Sequence, residues 1–336
     1  MEVVRRLLAV QAQDPRSARL ALRARSAGLT SAGVDRALGE DRSLLVAWLC
    51  RGTVHLVARE DYPWLLALTA PARFANSRRR LDQEGVAPAE AERAVETIER
   101  ALAEEGPLTR AELGERIAAK GIPTEGQATP HLLMLASLSG IAVRGPLRGG
   151  EQAFALTRDW LGIEPPGELT ADDREAALTE LARRYLAAHG PAAAADLATW
   201  AGIGLWDARA GLAAIAAELV EVGELVDLAD REPRAEPIPA RLLASFDPYL
   251  LGWRDRAFAV PAEHAKRVQP GGGIVRAAAT IDGVAVGTWK ARRRDERIAV
   301  ELEPFGELHP DAETALDEEI ADIARFEGRT VPSRPG

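Results

Sequence analysis

The stretch GPLTRAEL at residues 106–113 recurs 84 residues later as GPAAAADL at residues 190–197. Both copies begin with Gly-Pro, continue into the start of a short helix and end on an acidic residue followed by leucine. Each copy follows a segment whose apolar residues recur at helical intervals, at 89–105 and at 173–189. This spacing predicts that one structural unit occurs twice in the chain.

Each predicted unit ends in a β-hairpin. In the first copy, two short β-like runs flank a Gly/Pro turn within 140–156, and in the second a shorter hairpin closes the segment 205–228. Three helices followed by a hairpin are typical of a winged helix, a variant of the helix-turn-helix fold. A third unit is predicted near the N-terminus, from a helix over 30–40 and a hairpin over 44–61.

The C-terminal part of the chain has a different pattern. Alternating residues over 273–305 predict a β-meander, and an amphipathic helix over 311–327 is expected to pack on that sheet. Two residue pairs give the turn signals between its strands: Asp282-Gly283, the stronger, and Asp295-Glu296.

The sequence therefore predicts an α+β fold of tandem winged helices, followed by a C-terminal β-barrel-like meander and a terminal helix. The predicted domains are an N-terminal winged-helix region, two further winged helices and the C-terminal domain, at 1–85, 86–165, 166–230 and 240–336.

The composition indicates a globular protein of several domains. The chain has 336 residues, of which 47% are hydrophobic, enough to form real cores. The longest apolar runs, such as residues 44–50, are too short for a membrane span, and the first residues lack the pattern of a secretion signal. We therefore expect a cytoplasmic protein with no membrane partner. Cys50, the single cysteine, lies in an apolar run and is expected to be buried and inert.

The net charge of −9 conceals a strong asymmetry along the chain. Residues 1–80 contain 14 arginines and 7 acidic residues, a balance of +7, whereas the remaining residues carry a balance of −16. The N-terminal quarter is thus the basic part of the molecule.

Motifs for cofactors are missing from the sequence. It has no Gly-rich phosphate loop, no dinucleotide fingerprint and no nucleophile elbow. Its five histidines stand too far apart to suggest metal-ligand spacing: His55, His131, His189, His264 and His309. We expect neither a cofactor nor a metal.

Two glutamines, Gln11 and Gln13, flank one alanine directly before Asp14-Pro15. Pro15 biases Asp14 away from helical geometry. We therefore expect the glutamines at the end of a helix, where the chain opens out and both amides converge on one face. The alternative is that these amides cap the helix or face solvent, and that Asp14 is an ordinary turn residue.

Five separated motifs occur in an order that resembles the AlkZ/YcaQ-like winged-helix DNA glycosylases, and with the two Gly-Pro copies they span nearly the whole chain. The motifs are LLAVQAQDP (7–15), RGTVHLV (51–57), SFDPYLLGWRDR (245–256), VAVGTWK (284–290) and ELEPF (301–305). The resemblance implies three winged helices and a β-barrel around a concave DNA-binding surface. It implies excision of N7-alkylated purines, in some members from interstrand crosslinks, and a longer N-terminal helix than the ten residues before Gln11.

The resemblance also implies that Gln11 and Gln13, which match the family's Gln-x-Gln form, carry the catalysis. An N7-alkylguanine is cationic and departs as a neutral base, so no general acid is required. A glutamine is not a general base near neutral pH, but its carbonyl oxygen can orient water and stabilise positive charge developing on the sugar. We expect one glutamine to orient the water and the other to fix the water or the sugar, with Asp14 as a weaker electrostatic partner.

Binding of DNA is expected to fall to arginines, which neutralise phosphates with salt-sensitive affinity. Arginines recur at helical spacing after Pro15 and cluster at 77–80, and strand alternation over 51–57 would place three polar side chains on one side. The predicted DNA contacts are Arg16, Arg19, Arg51, Thr53, His55, Arg78, Arg79 and Arg80, with Arg23 at the same spacing. Solvated arginines and a hydrogen-bonded structural histidine are the alternatives.

Asp247, Arg254 and Arg256 are expected to hold the C-terminal domain against the winged helices as an ion-pair network. The expected partner is double-stranded DNA with alkylated or crosslinked purines, on which the protein acts as a monomer. These expectations describe a monofunctional glycosylase of base excision repair.

Two other classes of protein remain open at this point. One is a noncatalytic winged-helix DNA-binding protein or transcriptional regulator, and the other is an interaction scaffold. A regulator reads bases with polar side chains on a recognition helix, but the candidate helices at 127–139 and 205–219 are mostly apolar. A scaffold has no use for a basic N-terminal quarter or for paired glutamines.

Overall fold

The computed structural model describes residues 2–148, 151–232 and 237–331. The first part of the chain combines helices with three antiparallel strands. Its elements are α1 (Glu2–Leu7), β1 (Ala9–Gln11), α2 (Pro15–Arg23), α3 (Ser31–Gly39), β2 (Leu44–Trp48), β3 (Val54–Ala58), α4 (Tyr62–Thr69) and α5 (Pro71–Gln83). The predicted helix over 30–40 and hairpin over 44–61 are confirmed, and Thr30 caps α3 by accepting from the backbone N–H of Gly33.

Two units built on the Gly-Pro repeat follow. The first Gly-Pro unit contains α6 (Pro88–Glu105), α7 (Arg110–Ala118), α8 (Ala128–Leu138), β4 (Ala142–Arg148) and β5 (Glu151–Leu156), followed by α9 (Thr157–Leu161). The second Gly-Pro unit contains α10 (Ala171–His189), α11 (Ala194–Ala201), α12 (Leu205–Ala214), β6 (Leu219–Val222) and β7 (Leu225–Leu228). The helix expected over 205–219 is therefore shorter than predicted, because its last residues form a 3₁₀ turn and the start of β6.

The repeat seen in the sequence is also a repeat of backbone contacts. Two residues after each Gly-Pro glycine, the chain forms an isolated bridge to the second strand of its own hairpin. Leu108 pairs in this way with Phe154, and Ala192 pairs with Val226. Each long helix is thereby joined to the hairpin that closes its unit.

The short helix after each Gly-Pro pair begins with the same acidic cap. The Thr109 backbone N–H donates to Glu112 at 2.7 Å, and the Ala193 backbone N–H donates to Asp196 at 2.9 Å. These carboxylates satisfy a donor that the helix itself leaves free. The acidic residue before leucine in both sequence copies is this cap.

The first Gly-Pro unit shares a sheet with the N-terminal strands. The sheet has the order β1-β3-β2-β4-β5, with β2 paired to β4 at Val46 and Arg144. In the second Gly-Pro unit, β6 and β7 form a separate two-stranded sheet. The hairpin of the first unit thus completes the N-terminal sheet, which the repeat pattern did not predict.

The C-terminal part contains an antiparallel sheet and a long final helix. Its elements are β8 (Arg241–Leu243), α13 (Pro248–Leu251), α14 (Ala265–Val268), β9 (Ala278–Ile281), β10 (Val284–Arg294), β11 (Arg297–Pro304) and α15 (Pro310–Glu327). Both predicted turns are confirmed, since β9 and β10 meet around Asp282-Gly283 and β10 and β11 meet around Asp295-Glu296.

The sheet departs from the prediction in two respects. Its strand order is β11-β10-β9-β8, so in the described residues it is an open row rather than a closed barrel. Its first meander strand begins at Ala278, later than expected, because Val275 and Arg276, which follow the glycine turn at 271–273, bond to Phe246 and Val268 outside the sheet. Phe326 of α15 is buried with Leu20 of α2 as well as against this sheet, so the final helix joins the two ends of the chain. Over the described ranges, no helix is long and apolar enough to cross a membrane.

Candidate active site

Gln11 is the last residue of β1, at one edge of the five-stranded sheet. The chain leaves α1 through Leu8, whose φ is +63°, and then runs extended beside β3, where Gln11 is the register partner of His55. The motif therefore lies on a strand edge, not at the end of a helix as predicted. This segment is extended because β3 supplies partners for its backbone, including the Val54 carbonyl, which accepts from the Ala12 N–H at 2.7 Å.

Burial alternates along the motif, although β1 ends at Gln11 and Gln13 lies in the bend that follows the strand. Val10 and Ala12 are buried, Gln11 is half-buried and Gln13 is exposed. No hydrogen bond of the Gln13 side chain is found within the described part of the chain. The two amides thus face outward around a buried alanine.

Asp14 holds the turn that follows the motif. Its carboxylate accepts from the Arg16 backbone N–H at 3.0 Å and from the Ser17 hydroxyl at 2.7 Å, which makes it the N-cap of α2. Both carboxylate oxygens are engaged in this cap. The contacts support the turn alternative for Asp14.

Arg51 lies in the turn between β2 and β3, where the sequence predicted a strand. Its φ is +58°, and its guanidinium donates to the Gln11 Oε1 at 3.0 Å and to the Trp200 carbonyl. Burial lowers the pKa of Arg51, and the nearby charge of Arg256 lowers it further. This side chain therefore contacts the glutamine motif.

The other two polar residues predicted beside Arg51 also have internal partners. Thr53 donates its hydroxyl to the Cys50 carbonyl at 3.1 Å, and His55 is 1% exposed with its Nδ1 3.0 Å from the Thr53 carbonyl. Burial lowers the pKa of His55 to about 3, and the Arg51 charge adds to this effect. The prediction that His55 faces DNA is wrong, because the side chain is sealed in the sheet.

The tautomer of His55 follows from its partner. A carbonyl oxygen can only accept, so the neutral imidazole carries its proton on Nδ1 and leaves a lone pair on Nε2. The two titratable residues found in contact with Gln11 among the described residues are thus a neutral histidine and an arginine that keeps its proton. Neither can act as a general acid near neutral pH.

The arginines after Pro15 have different environments. Arg16 is exposed, and its side chain has no ion pair among the described residues. Arg19 pairs with Asp35 at 2.6 Å, and Arg23 is 2% exposed and pairs with Glu319 at 2.9 Å. Arg23 cannot reach a phosphate as predicted, because it is buried against α15.

The cluster on α5 remains at the surface. Arg78 and Arg79 are exposed, and neither has an ion pair in the ranges that the structure describes. Arg80 is also exposed but pairs with Glu84 at 2.9 Å. Arg16, Arg78 and Arg79 are thus the predicted contacts that are both exposed and without an ion pair to any described residue.

The predicted network of Asp247, Arg254 and Arg256 does not form. Asp247 is fully buried and accepts from Arg25 at 2.5 and 3.0 Å. The Arg256 side chain bonds the Leu250 carbonyl and lies 3.3 Å from the Gln269 Oε1. Asp247 does join the C-terminal part to the N-terminal helices, but through Arg25, which the sequence did not indicate.

The segment around Trp253 is held against the second Gly-Pro unit by backbone contacts. The Arg254 backbone N–H donates to Asp196 at 2.9 Å, and the Trp253 Nε1 donates to the Pro191 carbonyl at 3.0 Å. The Tyr185 hydroxyl donates to the Gly252 carbonyl at 2.6 Å. Arg254 therefore supports this junction through its main chain.

Many arginines of the basic N-terminal quarter bind other parts of the same chain. Those that contact residues beyond 85 are Arg23 (Glu319, Asp322), Arg25 (Asp247), Arg42 (Trp160 carbonyl), Arg51 (Trp200 carbonyl), Arg59 (Leu161 carbonyl) and Arg73 (Gly202 carbonyl). These arginines thus join the basic quarter to the rest of the molecule. The positive charge counted from the sequence is therefore larger than the charge available at the surface for DNA.

Residues missed by sequence reasoning surround Arg51. Trp200 and Gly202 lie at the end of α11, and Arg73 donates to the Gly202 carbonyl at 3.0 Å. The glycine after a helical segment was a readable signal for a helix end. Nothing in the spacing indicated that this end would meet Arg51.

Comparisons with known proteins agree with this fold. The solved structure of Streptomyces sahachiroi DNA glycosylase AlkZ matches with a TM-score of 0.79 and 26% identity, over 98% of this chain and 92% of that one. A relative named interstrand DNA cross-link repair glycosylase, from Streptomyces sahachiroi, is 29% identical over 345 residues, covering 97% of this chain and 90% of the relative.

The shared fold and the relative's similarity over nearly the whole chain define the chain as a DNA glycosylase, an enzyme that cleaves the bond between a base and its sugar. The model of the DNA glycosylase AlkZ-like family matches residues 4–326. The chain belongs to this family, and the resemblance drawn from the five motifs is confirmed.

Proposed function

We propose that this glycosylase hydrolyses the N-glycosidic bond of N7-alkylated purines in double-stranded DNA, including purines held in interstrand crosslinks. The observation that carries the proposal is the pair of outward-facing amides, Gln11 and Gln13, beside groups that cannot donate a proton at neutral pH. A cationic lesion needs no such donor because its base departs neutral. The relative named for cross-link repair supports the extension to crosslinks.

We further propose that the N-terminal region and the two Gly-Pro units are winged helices, at 1–85, 86–165 and 166–230, with a C-terminal β domain at 240–336. Support comes from the shared sequence of helices, acidic cap and hairpin in the two Gly-Pro units. The exposed, unpaired guanidinium groups of Arg16, Arg78 and Arg79 are suited to backbone phosphates. The enzyme would act on DNA as a monomer.

The reaction would proceed by positioning and electrostatics. An amide oxygen accepts a hydrogen bond from water and directs its lone pair to the anomeric carbon, while the amide dipole favours positive charge on the sugar. Positioning of this kind can contribute several kcal/mol, on the order of 7 or more in the best cases. The amides suffice because the leaving group is already activated.

Release of N7-methylguanine from methylated duplex DNA tests the proposal. The intact chain is expected to release the base, and Gln11→Ala/Gln13→Ala is expected to lose release while it still binds DNA. Gln127→Ala, which removes an exposed amide at the start of α8, is the matched control and should keep full activity. A duplex with a neutral adduct such as ethenoadenine should stay intact. Release that survives the double substitution would place the chemistry elsewhere.

A further inference from the structure

Arg51 connects the glutamine motif to the second Gly-Pro unit. Its Nη2 donates to the Gln11 Oε1 at 3.0 Å, and its Nη1 donates to the Trp200 carbonyl in the last turn of α11. Carbonyls at a helix C-terminus have no partner within the helix and carry the negative end of its dipole. A cation at this end is stabilised there, so α11 holds the guanidinium in place.

The backbone around Arg51 leaves it little freedom. Arg51 and Gly52 both have positive φ, and the turn passes directly against Gly202. A methyl group on Gly202 would lie 2.6 Å from the backbone nitrogen of Arg51 and 2.8 Å from the Cα of Arg51, so only glycine permits this approach. Arg73 also donates to the Gly202 carbonyl.

The bond from Arg51 determines which end of the Gln11 amide faces outward. A guanidinium has five donors and no acceptor, so only the carbonyl end of the amide can face it. The NH₂ group of Gln11 is then directed away from Arg51. A charged donor also draws electron density from the amide oxygen, which weakens that oxygen as an acceptor for water and strengthens the N–H groups as donors.

We infer that Arg51 is a positioning residue that fixes Gln11 with its Oε1 bound to the guanidinium and its NH₂ group toward DNA, and that Gln13 is the amide that accepts a hydrogen bond from the attacking water. This division of roles rests on the proposed function. Gln13 suits its role because its exposed side chain has no partner in the described ranges. Gln11 donates to an acceptor of the DNA and fixes the lesion beside that water.

Isosteric substitutions separate the two roles. Gln11→Glu retains an acceptor for Arg51 but loses the donor, and it should reduce single-turnover release of N7-methylguanine about 100-fold. Gln13→Glu retains an acceptor for water and should remain within about 10-fold of the intact chain. Equal losses in both variants, or the larger loss in Gln13→Glu, would overturn the division.

Arg51→Met tests the positioning role. The single-turnover rate should fall about 100-fold while the dissociation constant for duplex DNA and its salt dependence stay unchanged, because Arg51 acts through Gln11. Arg51→Lys should recover part of the rate, since it restores one charged donor. In the Gln11→Glu background, adding Arg51→Met should lower the single-turnover rate by less than it does in the intact chain. In the Gln13→Glu background, it should lower that rate by the same factor as in the intact chain.

Arg59→Met is the matched control, because it removes an arginine bond to the carbonyl of Leu161 at the end of another helix, α9, and leaves Gln11 and the turn at Arg51 untouched. Its release rate should stay within about threefold of the intact chain, with folding of every variant checked by thermal unfolding. Weaker DNA binding with a smaller salt slope in Arg51→Met, at an unchanged rate, would make Arg51 a phosphate contact and overturn the inference. No release by the intact chain would instead refute the proposed function.

Discussion

The two Gly-Pro units show what one local pattern becomes in two environments. In the first unit, the cap residue Glu112 lies at the surface and also pairs with Arg148 at 3.1 Å. In the second, the cap residue Asp196 accepts from the Arg254 backbone N–H of the C-terminal part. At the other end of α11, the Trp200 carbonyl accepts from Arg51. The same capping chemistry builds both helices, but the second helix also bonds Arg51, which contacts Gln11.

Glycines that follow the two short helices provide the largest expected contrast. Gly202 and Gly121 share a φ of +73°, but an added methyl group meets the Arg51 backbone at Gly202 and open space at Gly121. Gly121→Ala should lower the free energy of unfolding by about 1–2 kcal/mol through left-handed strain. Gly202→Ala should cost a further ~1–3 kcal/mol for the steric clash.

Urea unfolding at neutral pH measures this difference, with the change in release of N7-methylguanine as a second reading. Equal losses of stability would show that the turn at Arg51 yields easily, which would also weaken its role in fixing Gln11.

The next contrast concerns the last residue of each long helix and its effect on how the free energy of unfolding depends on pH. His189 ends α10 in a buried aromatic cluster with Tyr185 and Trp200, whereas Glu105 ends α6 at the surface and pairs with Arg116. Burial lowers the pKa of His189 to about 3, and the charges of Arg25 and Arg51 contribute. An unfolded histidine titrates near pH 6.5, so below that pH the unfolded chain takes up a proton that the folded chain refuses.

The free energy of unfolding should therefore be highest above pH 6.5 and fall as the pH drops toward 3, by up to about 1.4 kcal/mol per pH unit for each such histidine. His55, whose pKa is also about 3, adds a second contribution of the same kind to this loss of stability. The free energy of unfolding is measured with urea at pH 7, 6 and 5. His189→Phe should reduce its slope against pH by the contribution of one buried histidine. Glu105→Gln, the control, should not change it in that range, because the Arg116 hydrogen bond lowers the pKa of Glu105. An unaltered slope in His189→Phe would contradict the assignment.

The smallest contrast concerns the acidic caps. Asp196→Ala removes acceptors for the N–H groups of Ala193 and Arg254, and we expect it to lower the free energy of unfolding by about 1–2 kcal/mol. Glu112→Ala should cost less, because Glu112 accepts from one backbone N–H and its other contact is an ion pair with the surface residue Arg148. Urea unfolding of the two single variants checks the order, and a reversed order would show that the C-terminal junction contributes little.

Local signals carried much of the fold. The long helices, the 44–61 and 140–156 hairpins and the Asp282-Gly283 turn follow from periodicity and turn chemistry, which act between near neighbours. The shared sheet and the strand at Gln11 depend on partners far away in the chain, such as Val54 for Ala12. No short window of sequence contains that information.

The site was less accessible to sequence reasoning than the fold. Gln11 and Gln13 stood out through the family resemblance, since their spacing alone fits an ordinary cap equally well. Alternation failed for Arg51 because it lies in a turn with positive φ before β3. It failed for His55 because both faces of β3 are covered, so that His55 and its neighbour Leu56 are both buried. The partners of Arg51 at Gln11 and Trp200 are set by tertiary packing, which outweighs local pattern.

The shared five-stranded sheet also determines how the protein can be divided. A fragment that ended at residue 85 would lack β4, and β2 would present unpaired N–H and C=O groups along an apolar edge. Such edges recruit strands from other molecules, so this fragment is prone to self-association. A separable N-terminal piece has to extend through Leu156, at the end of the hairpin that covers that edge.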